Sequence, residues 1–141
     1  MNAVVTKDMM LDLQAEVLKI PQYEFPTKHY FADGMYAREI FIPETAVIVG
    51  AVHIKEHFAM LLKGRMSIVQ TGKPRMILSA GDFFVSQPGA KRAGFAFEDS
   101  VFMTIHRTSL TDIAEIEKEI AETDPQSAYL PGNKLKHGAL K

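Results

Sequence analysis

The chain has 141 residues, 47% of them hydrophobic, enough to bury a core as one domain without crosslinks. It contains no cysteine, which excludes a disulfide framework and thiolate metal sites, and its formal net charge of -1 gives no electrostatic pull toward nucleic acid or an anionic membrane. No apolar run approaches the ~20 residues of a membrane-spanning helix, and Asp8 and Asp12 interrupt the apolar part of the N-terminus. The expectation is a soluble, unexported, cytoplasmic protein with neither nucleic acid nor a membrane as partner.

Asp8 to Leu18 places Met10, Leu13, Val17 and Leu18 at helical spacing, and Pro21 limits continuation, so a short amphipathic helix is predicted there. Gln22 to Thr27, with two aromatics and Pro26, suits an extended connector, and Ala32-Asp33-Gly34 is a turn signal. From Met35 the pattern changes to short strands: Tyr36 to Ile42, then Val47 to Val52, Phe58 to Leu62, Arg65 to Gln70, Pro74 to Leu78, Phe83 to Ser86, Arg92 to Phe97 and Val101 to Arg107. Gly or Pro punctuates most of the gaps between them, the sequence sign of an all-β sandwich or barrel.

The stretch from Val47 to Gly64 sets two histidines between two apolar runs and reads as strand, turn, strand, with Ile54-Lys55-Glu56 as the reversal. Such a reversal brings His53 and His57 together; four residues of continuous strand would hold them roughly 13 Å apart. After the strands, Ser109 to Asp112 offers a helix cap, and Ile113, Ile116 and Ile120 form an apolar stripe opposite a solvated acidic face of Glu115, Glu119 and Glu122. Asp124-Pro125 ends that helix, and the basic stretch Gln126 to Lys141 reads as a tail ordered against a neighbouring molecule, if at all. The predicted division is a helix and connector over 1–34, a barrel over 35–108, a helix over 109–123 and a tail over 124–141.

The glycine and histidine spacing resembles that of the cupin family, small jelly-roll barrels that hold a metal or ligand in the barrel mouth. The first cupin motif is a glycine, five residues, His-x-His, three or four residues, Glu, six residues and glycine. With Gly64 as the closing glycine, His57 falls at the Glu position, His53 at the second His, Ala51 at the first and Thr45 at the opening glycine. The second motif is a glycine, five residues, Pro-x-Gly, two residues, His, three residues and Asn. Gly81 and Gly89 match it; Gln87 stands at the Pro position with Pro88 one later, Arg92 at the ligand histidine and Ala96 at the Asn. The match spans Tyr36 to Arg107 and keeps the glycines better than the ligands. The chain is also similar to small cupins encoded by bacteriophages, through Glu56 to Arg65, Lys91 to Asp99 and Thr104 to Thr108. The resemblance implies an all-β jelly roll with a short helix at each end, located in a host cytoplasm or virion if phage-encoded.

Neutral imidazoles bind Zn, Fe, Ni, Cu or Mn, and cupin-type enzymes use two or three of them, usually with a carboxylate. On the metal reading the cofactor is one divalent transition metal (Zn, Fe, Ni or Mn) held by His53, His57 and His106, the last sharing a strand face with Phe102 and Thr104. On the other reading the histidines are hydrogen-bonded in a mouth that holds only water. Arg92 has no lone pair and cannot ligate, so at a ligand position it replaces the metal's charge with a fixed one. It is the candidate ligand- or cofactor-binding residue for a carboxylate or phosphate, unless it pairs with Glu56 or Asp99 or lies on the surface. Lys91 points the other way by strand alternation, and His29 and His137 carry no spacing signal. Nucleophile elbow, P-loop, dinucleotide fingerprint and paired strand carboxylates are all absent.

Three functions follow. One is a non-catalytic, homo-oligomeric binding or structural protein with a vestigial metal or anion site and a small anionic ligand as partner. The second is a metal-dependent cupin enzyme, an isomerase or dioxygenase, using His53, His57 and His106. The third is a small-molecule sensor, ranked last because no DNA-binding module accompanies the barrel. The apolar N-terminal helix, with Met9, Met10, Leu11, Leu13, Val17 and Leu18, is expected to join two copies into a dimer.

Overall fold

The computed structural model describes residues 4–136. His137 and the end of the expected tail lie outside them. A helix α1 (Lys7–Val17) precedes strands β1 (Thr27–Ala32), β2 (Met35–Ile42), β3 (Val47–Val49), β4 (His57–Lys63), β5 (Arg65–Gln70), β6 (Met76–Ser79), β7 (Phe83–Ser86), β8 (Arg92–Ala96) and β9 (Ser100–Arg107). A second helix α2 (Ile113–Ile120) and a small hairpin of β10 (Tyr129–Leu130) and β11 (Lys134–Leu135) follow. The strands form an antiparallel five-stranded sheet in the order β1-β2-β9-β4-β7, facing a four-stranded sheet in the order β3-β8-β5-β6. This is the expected all-β jelly roll.

Strand alternation builds the core. On β9 the buried positions are Ser100, Phe102, Thr104 and His106, and on β5 they are Met66, Ile68 and Gln70. The inward apolar residues, with Ile42, Ala59, Leu61 and Phe25, form one cluster between the sheets. The barrel interior is thus apolar at one level and polar at the level of Thr104 and His106, a graded interior that fixes where a site can lie.

Three features differ from the sequence reading. The barrel begins upstream of Met35, because Thr27–Ala32 is a strand paired with β2 from Thr27↔Ile40 to Ala32↔Met35. As an edge strand with four of its six residues exposed it lacks the alternation that betrays a half-buried strand. Second, β3 and β4 are not a hairpin: β3 pairs with β8 and β4 with β7 and β9. The chain at Ile54 to Glu56 crosses between sheets, so both apolar strands cover the same core instead of sharing an edge.

Third, the stretch after α2 is ordered against its own chain. Tyr129 packs on the main core and its hydroxyl donates to the Tyr23 carbonyl (2.8 Å). Asn133 Nδ2 donates to Thr27 Oγ1 (3.0 Å), and the Leu135 N–H donates to Glu24 Oε1 (2.9 Å). Helix α1 also rests on its own molecule through buried Met10, with Val5 bridged to Thr71 and Gln14 donating to Asp124 (2.8 Å). Met9 and Leu11 on the same helix remain exposed.

Two turn positions explain the glycine framework. Thr45, at the opening glycine of the first motif, has φ of 69°, a left-handed conformation that glycine adopts freely and threonine does not. Gly64 has φ of +89° and its absent Cβ would meet the Asp99 carbonyl at 2.5 Å as well as Ser100. Gly34, in the β1–β2 turn, has φ of +73° and open space around it. Urea unfolding is therefore expected to show Gly34→Ala losing about 1 kcal/mol from backbone strain alone, and Gly64→Ala losing clearly more because a strand backbone must also move. Equal losses would contradict the packing role of Gly64.

Candidate functional site

The crossing from β3 to β4 delivers His53 and His57 to one end of the barrel, and β9 sends His106 to the same place. Ring centroids lie 4.4 Å apart for His53 and His57, 4.4 Å for His57 and His106, and 6.0 Å for His53 and His106. The second glycine segment fixes this arrangement. The His53 N–H donates to the Ala90 carbonyl (3.0 Å) and the Gly89 N–H to the His53 carbonyl (2.7 Å), with Gly89 at φ of 86°. His57 opens β4 opposite Ser86.

Arg92 enters from the opposing sheet and is only 8% exposed. Its Nη1 donates to Ser86 Oγ (2.6 Å) and to His57 Nε2 (3.2 Å). A guanidinium can only donate, so His57 Nε2 accepts and its Nδ1 carries the proton, which it gives to the Lys55 carbonyl (3.0 Å). No carboxylate stands within ion-pair distance of Arg92 among the described residues. The anticipated partners are not on Arg92: Asp99 accepts the Glu44 N–H (2.9 Å), and Glu56 makes no ion pair among the described residues. A surface Arg is equally excluded by its burial. Lys91 faces Asp124 (4.0 Å), away from Arg92.

Burial shapes the charges. Desolvation, with the nearby Arg92 charge, lowers His53 to about 2 and, with the neighbouring His57, lowers His106 to about 3. His57 falls to about 4, also chiefly from desolvation. Desolvation alone lowers Arg92 to about 10, so it keeps its charge at neutral pH. The site is one fixed cation beside three neutral imidazoles.

The fold raises the question of a metal, and the donor set answers it. His57 has no lone pair left, because Arg92 occupies Nε2. His106 Nε2 bonds Thr104 Oγ1 (2.8 Å), and the buried Nδ1 atoms of His53 and His106 have no partner. No three His, Asp or Glu side chains among the described residues are placed to hold one ion. A permanent positive charge against the cluster further opposes a cation. The residues present do not fit a three-ligand metal centre, although the structure brings His53 and His57 together as expected and sets His106 beside them.

Beside this cluster lies a cavity of ≈ 440 Å³. Arg92, His53 and Thr104 form its polar wall, Ile42, Ile68 and Phe102 part of its apolar one, and α2 with the chain to Lys136 closes the end. Sequence reasoning missed several residues here. Arg38 ion-pairs with Glu117 (3.2 Å) on the cavity wall, and Arg38 Nε donates to the Tyr36 hydroxyl (2.8 Å), which donates to His29 Nδ1 (2.6 Å). Glu117 also accepts the Gly132 N–H (2.5 Å), and Glu119, expected to be solvated, pairs with Lys55. Alternation alone would have placed Arg38 on the Tyr36-Arg38-Ile40 register of β2 but could not choose which face looks inward.

Solved structures share this architecture. KdgF from Halomonas sp. aligns over 58% of this chain and 76% of its own at 19% identity, with a TM-score of 0.51. An RmlC-like cupin from Shewanella frigidimarina aligns over 60% and 76% at 17% identity, TM-score 0.50. The fold is that of the RmlC-like cupins. The DMSP lyase DddQ from Ruegeria pomeroyi aligns with the same cupin barrel over 63% of this chain and 49% of its own, at 16% identity and a TM-score of 0.52. No family profile and no curated protein sequence matches the chain. At these identities the cupin relatives define the fold alone.

The neutral histidines make stability depend on pH. Each has a folded value below its ordinary 6.5, so below pH 6.5 the unfolded chain binds more protons than the folded one. The stability they contribute is complete above pH 6.5 and is lost as pH falls toward and through 4, by up to about 1.4 kcal/mol per pH unit for each histidine. Melting temperature is expected to fall between pH 6.5 and about 5.5, above the range in which most carboxylates titrate, and to fall less in His106→Gln. A flat profile in the wild type would contradict burial of neutral imidazoles.

Proposed function

We propose that this chain is a non-catalytic cupin-fold binding protein that holds a small anion on Arg92 inside the barrel, and that it works as a homo-oligomer. One observation carries the reading: a nine-tenths buried guanidinium with two neutral hydrogen-bond acceptors and no carboxylate within ion-pair distance among the described residues. A buried cation without a counter-ion is costly, and an anionic ligand offsets that cost when it binds. The imidazoles serve the arginine: His57 orients it, and their neutrality leaves its charge undivided. Three carboxylates line the cavity at its α2 end: Glu117 is committed to Arg38 and Gly132, Asp124 accepts from Gln14 and the Gln126 N–H, and Glu122 stands beside them.

The test uses purified full-length protein made without an affinity tag. Acetate, hexanoate and inorganic phosphate are titrated while the melting temperature is followed. At least one anion is expected to raise it in the wild type and none in Arg92→Met. Stoichiometric transition metal that is lost in His53→Ala and His106→Ala would overturn the reading in favour of a metal-dependent enzyme.

Self-association is supported by the outer face of the five-stranded sheet more than by α1. The registers set Tyr30, Ala37, Ile105, Phe58 and Val85 in one row and Met103, Met60 and Phe83 in the next. Phe83 is 65% exposed and Phe58 48%, and the β9-β4-β7 part of these rows carries no charge. An apolar face this broad exceeds the scattered exposure of ordinary monomers, and a second copy of the chain is the occupant we take for it. Light scattering is expected to give twice the chain mass for the wild type, unchanged on deletion of residues 1–20 and halved in Phe83→Lys. A dimer that survives Phe83→Lys but not the deletion would place the contact on α1.

A further inference from the structure

The anion reading leaves the chemical class of the ligand undefined, and three features of the cavity narrow it. The first is charge. Of the basic side chains on its barrel wall, Arg38 is balanced by Glu117 (3.2 Å), which leaves Arg92 alone uncompensated. On the barrel side this is a single fixed charge and matches a single negative charge. The other basic side chains on the wall, Lys118 and Lys136, stand toward the α2 end and the tail, where Lys118 faces Glu115 (3.5 Å) and Glu122 and Asp124 also line the cavity.

The second feature is geometry. Arg92 uses Nη1 for both Ser86 and His57, and its Nε and Nη2 make no hydrogen bond with the described residues. That remaining edge is a planar two-donor fork, the shape that receives both oxygens of a carboxylate. The guanidinium carbon also lies 5.9 Å from the ring centroids of both Phe84 and Phe102.

The third feature is the rest of the volume. Ile48, Met66 and Ile68 close around Gly94, whose absent Cβ would meet Met66 at 2.9 Å and Ile68 at 3.1 Å, and all four line the cavity. A cavity of ≈ 440 Å³ is the size of a small-molecule pocket, and an inorganic anion would leave most of that apolar wall against water. At the α2 side Glu117 stands on the wall, fixed by Arg38 and by the Gly132 N–H.

We infer that the occupant is a monocarboxylic acid with an apolar body, its carboxylate on the free edge of Arg92 and its chain between the sheets, and that Glu117 excludes dicarboxylic acids. This rests on the anion reading of Arg92 and adds to it the ligand class and a specificity residue. Glu117 acts in two ways: its own charge repels a second carboxylate, and it neutralises Arg38, which would otherwise receive one.

Calorimetric titration of the full chain with acetate, butyrate, hexanoate, adipate and inorganic phosphate tests this. Affinity is expected to rise from acetate to hexanoate by up to about fourfold per methylene, with adipate and phosphate binding at least tenfold more weakly than hexanoate. Ile48→Phe is expected to remove the chain-length gain while keeping acetate binding. Glu117→Gln is expected to narrow the gap between adipate and hexanoate at least tenfold. Acetate and hexanoate binding alike, or adipate binding tightest to the wild type, would overturn the ligand class while leaving the anion site standing. Binding of none of the five would overturn both. An unchanged adipate gap in Glu117→Gln that still gains from chain length would remove Glu117 from the proposal.

Discussion

Burying one guanidinium without a counter-charge is the constraint around which this barrel's interior is built. Arg92 is desolvated by both sheets, and its charge persists at neutral pH even with its pKa lowered to about 10. Ser86 and His57 supply the acceptors that make this tolerable. The bond to His57 selects the imidazole tautomer, and the tautomer determines that Nδ1 reaches the Lys55 carbonyl at the sheet crossing. One charged side chain thereby links β8 to the start of β4, to the crossing before it and to the end of β7.

The histidine cluster depends on that charge. Three imidazoles at centroid spacings of 4.4 to 6.0 Å could share protons or a metal if their surroundings were acidic. Here burial and the guanidinium both disfavour protonation, and they oppose a bound cation for the same electrostatic reason. The shared architecture with KdgF and DddQ therefore says little about chemistry.

The closed end of the cavity is made by the segments outside the strands. Ile116 and Ile120 pack with Tyr36 in a second small core, so α2 is anchored to the end of β2 nearest His106. From there the chain runs across the barrel to the β10–β11 hairpin, held at Tyr23, Glu24 and Thr27. The Arg38–Glu117 pair ties this cover to the barrel strands. These contacts form within one molecule, and the broad apolar face of the five-stranded sheet is left on the outside.

Much of this was legible in the residues. Short strands punctuated by Gly and Pro require a two-layer β fold, because apolar alternation at period two can be buried only against another sheet. The boundaries of β5 and β7 and the cap at Asp112 follow from local rules. The nearness of His53 and His57 was expected from a hairpin turn between them; the two rings do meet, but through a crossing between sheets. Other features depended on non-local contacts. That β3 and β4 cover one core from opposite sheets is a matter of pairing partners distant in sequence, and no local pattern encodes it. The exposed edge strand β1 has no alternation to read. The inward face of β9, the burial of Arg92 and its lack of a carboxylate emerged only when strands from both sheets closed around it. Local sequence specifies which faces a strand can offer; the packing of remote strands decides which face is buried and which charges are left there alone.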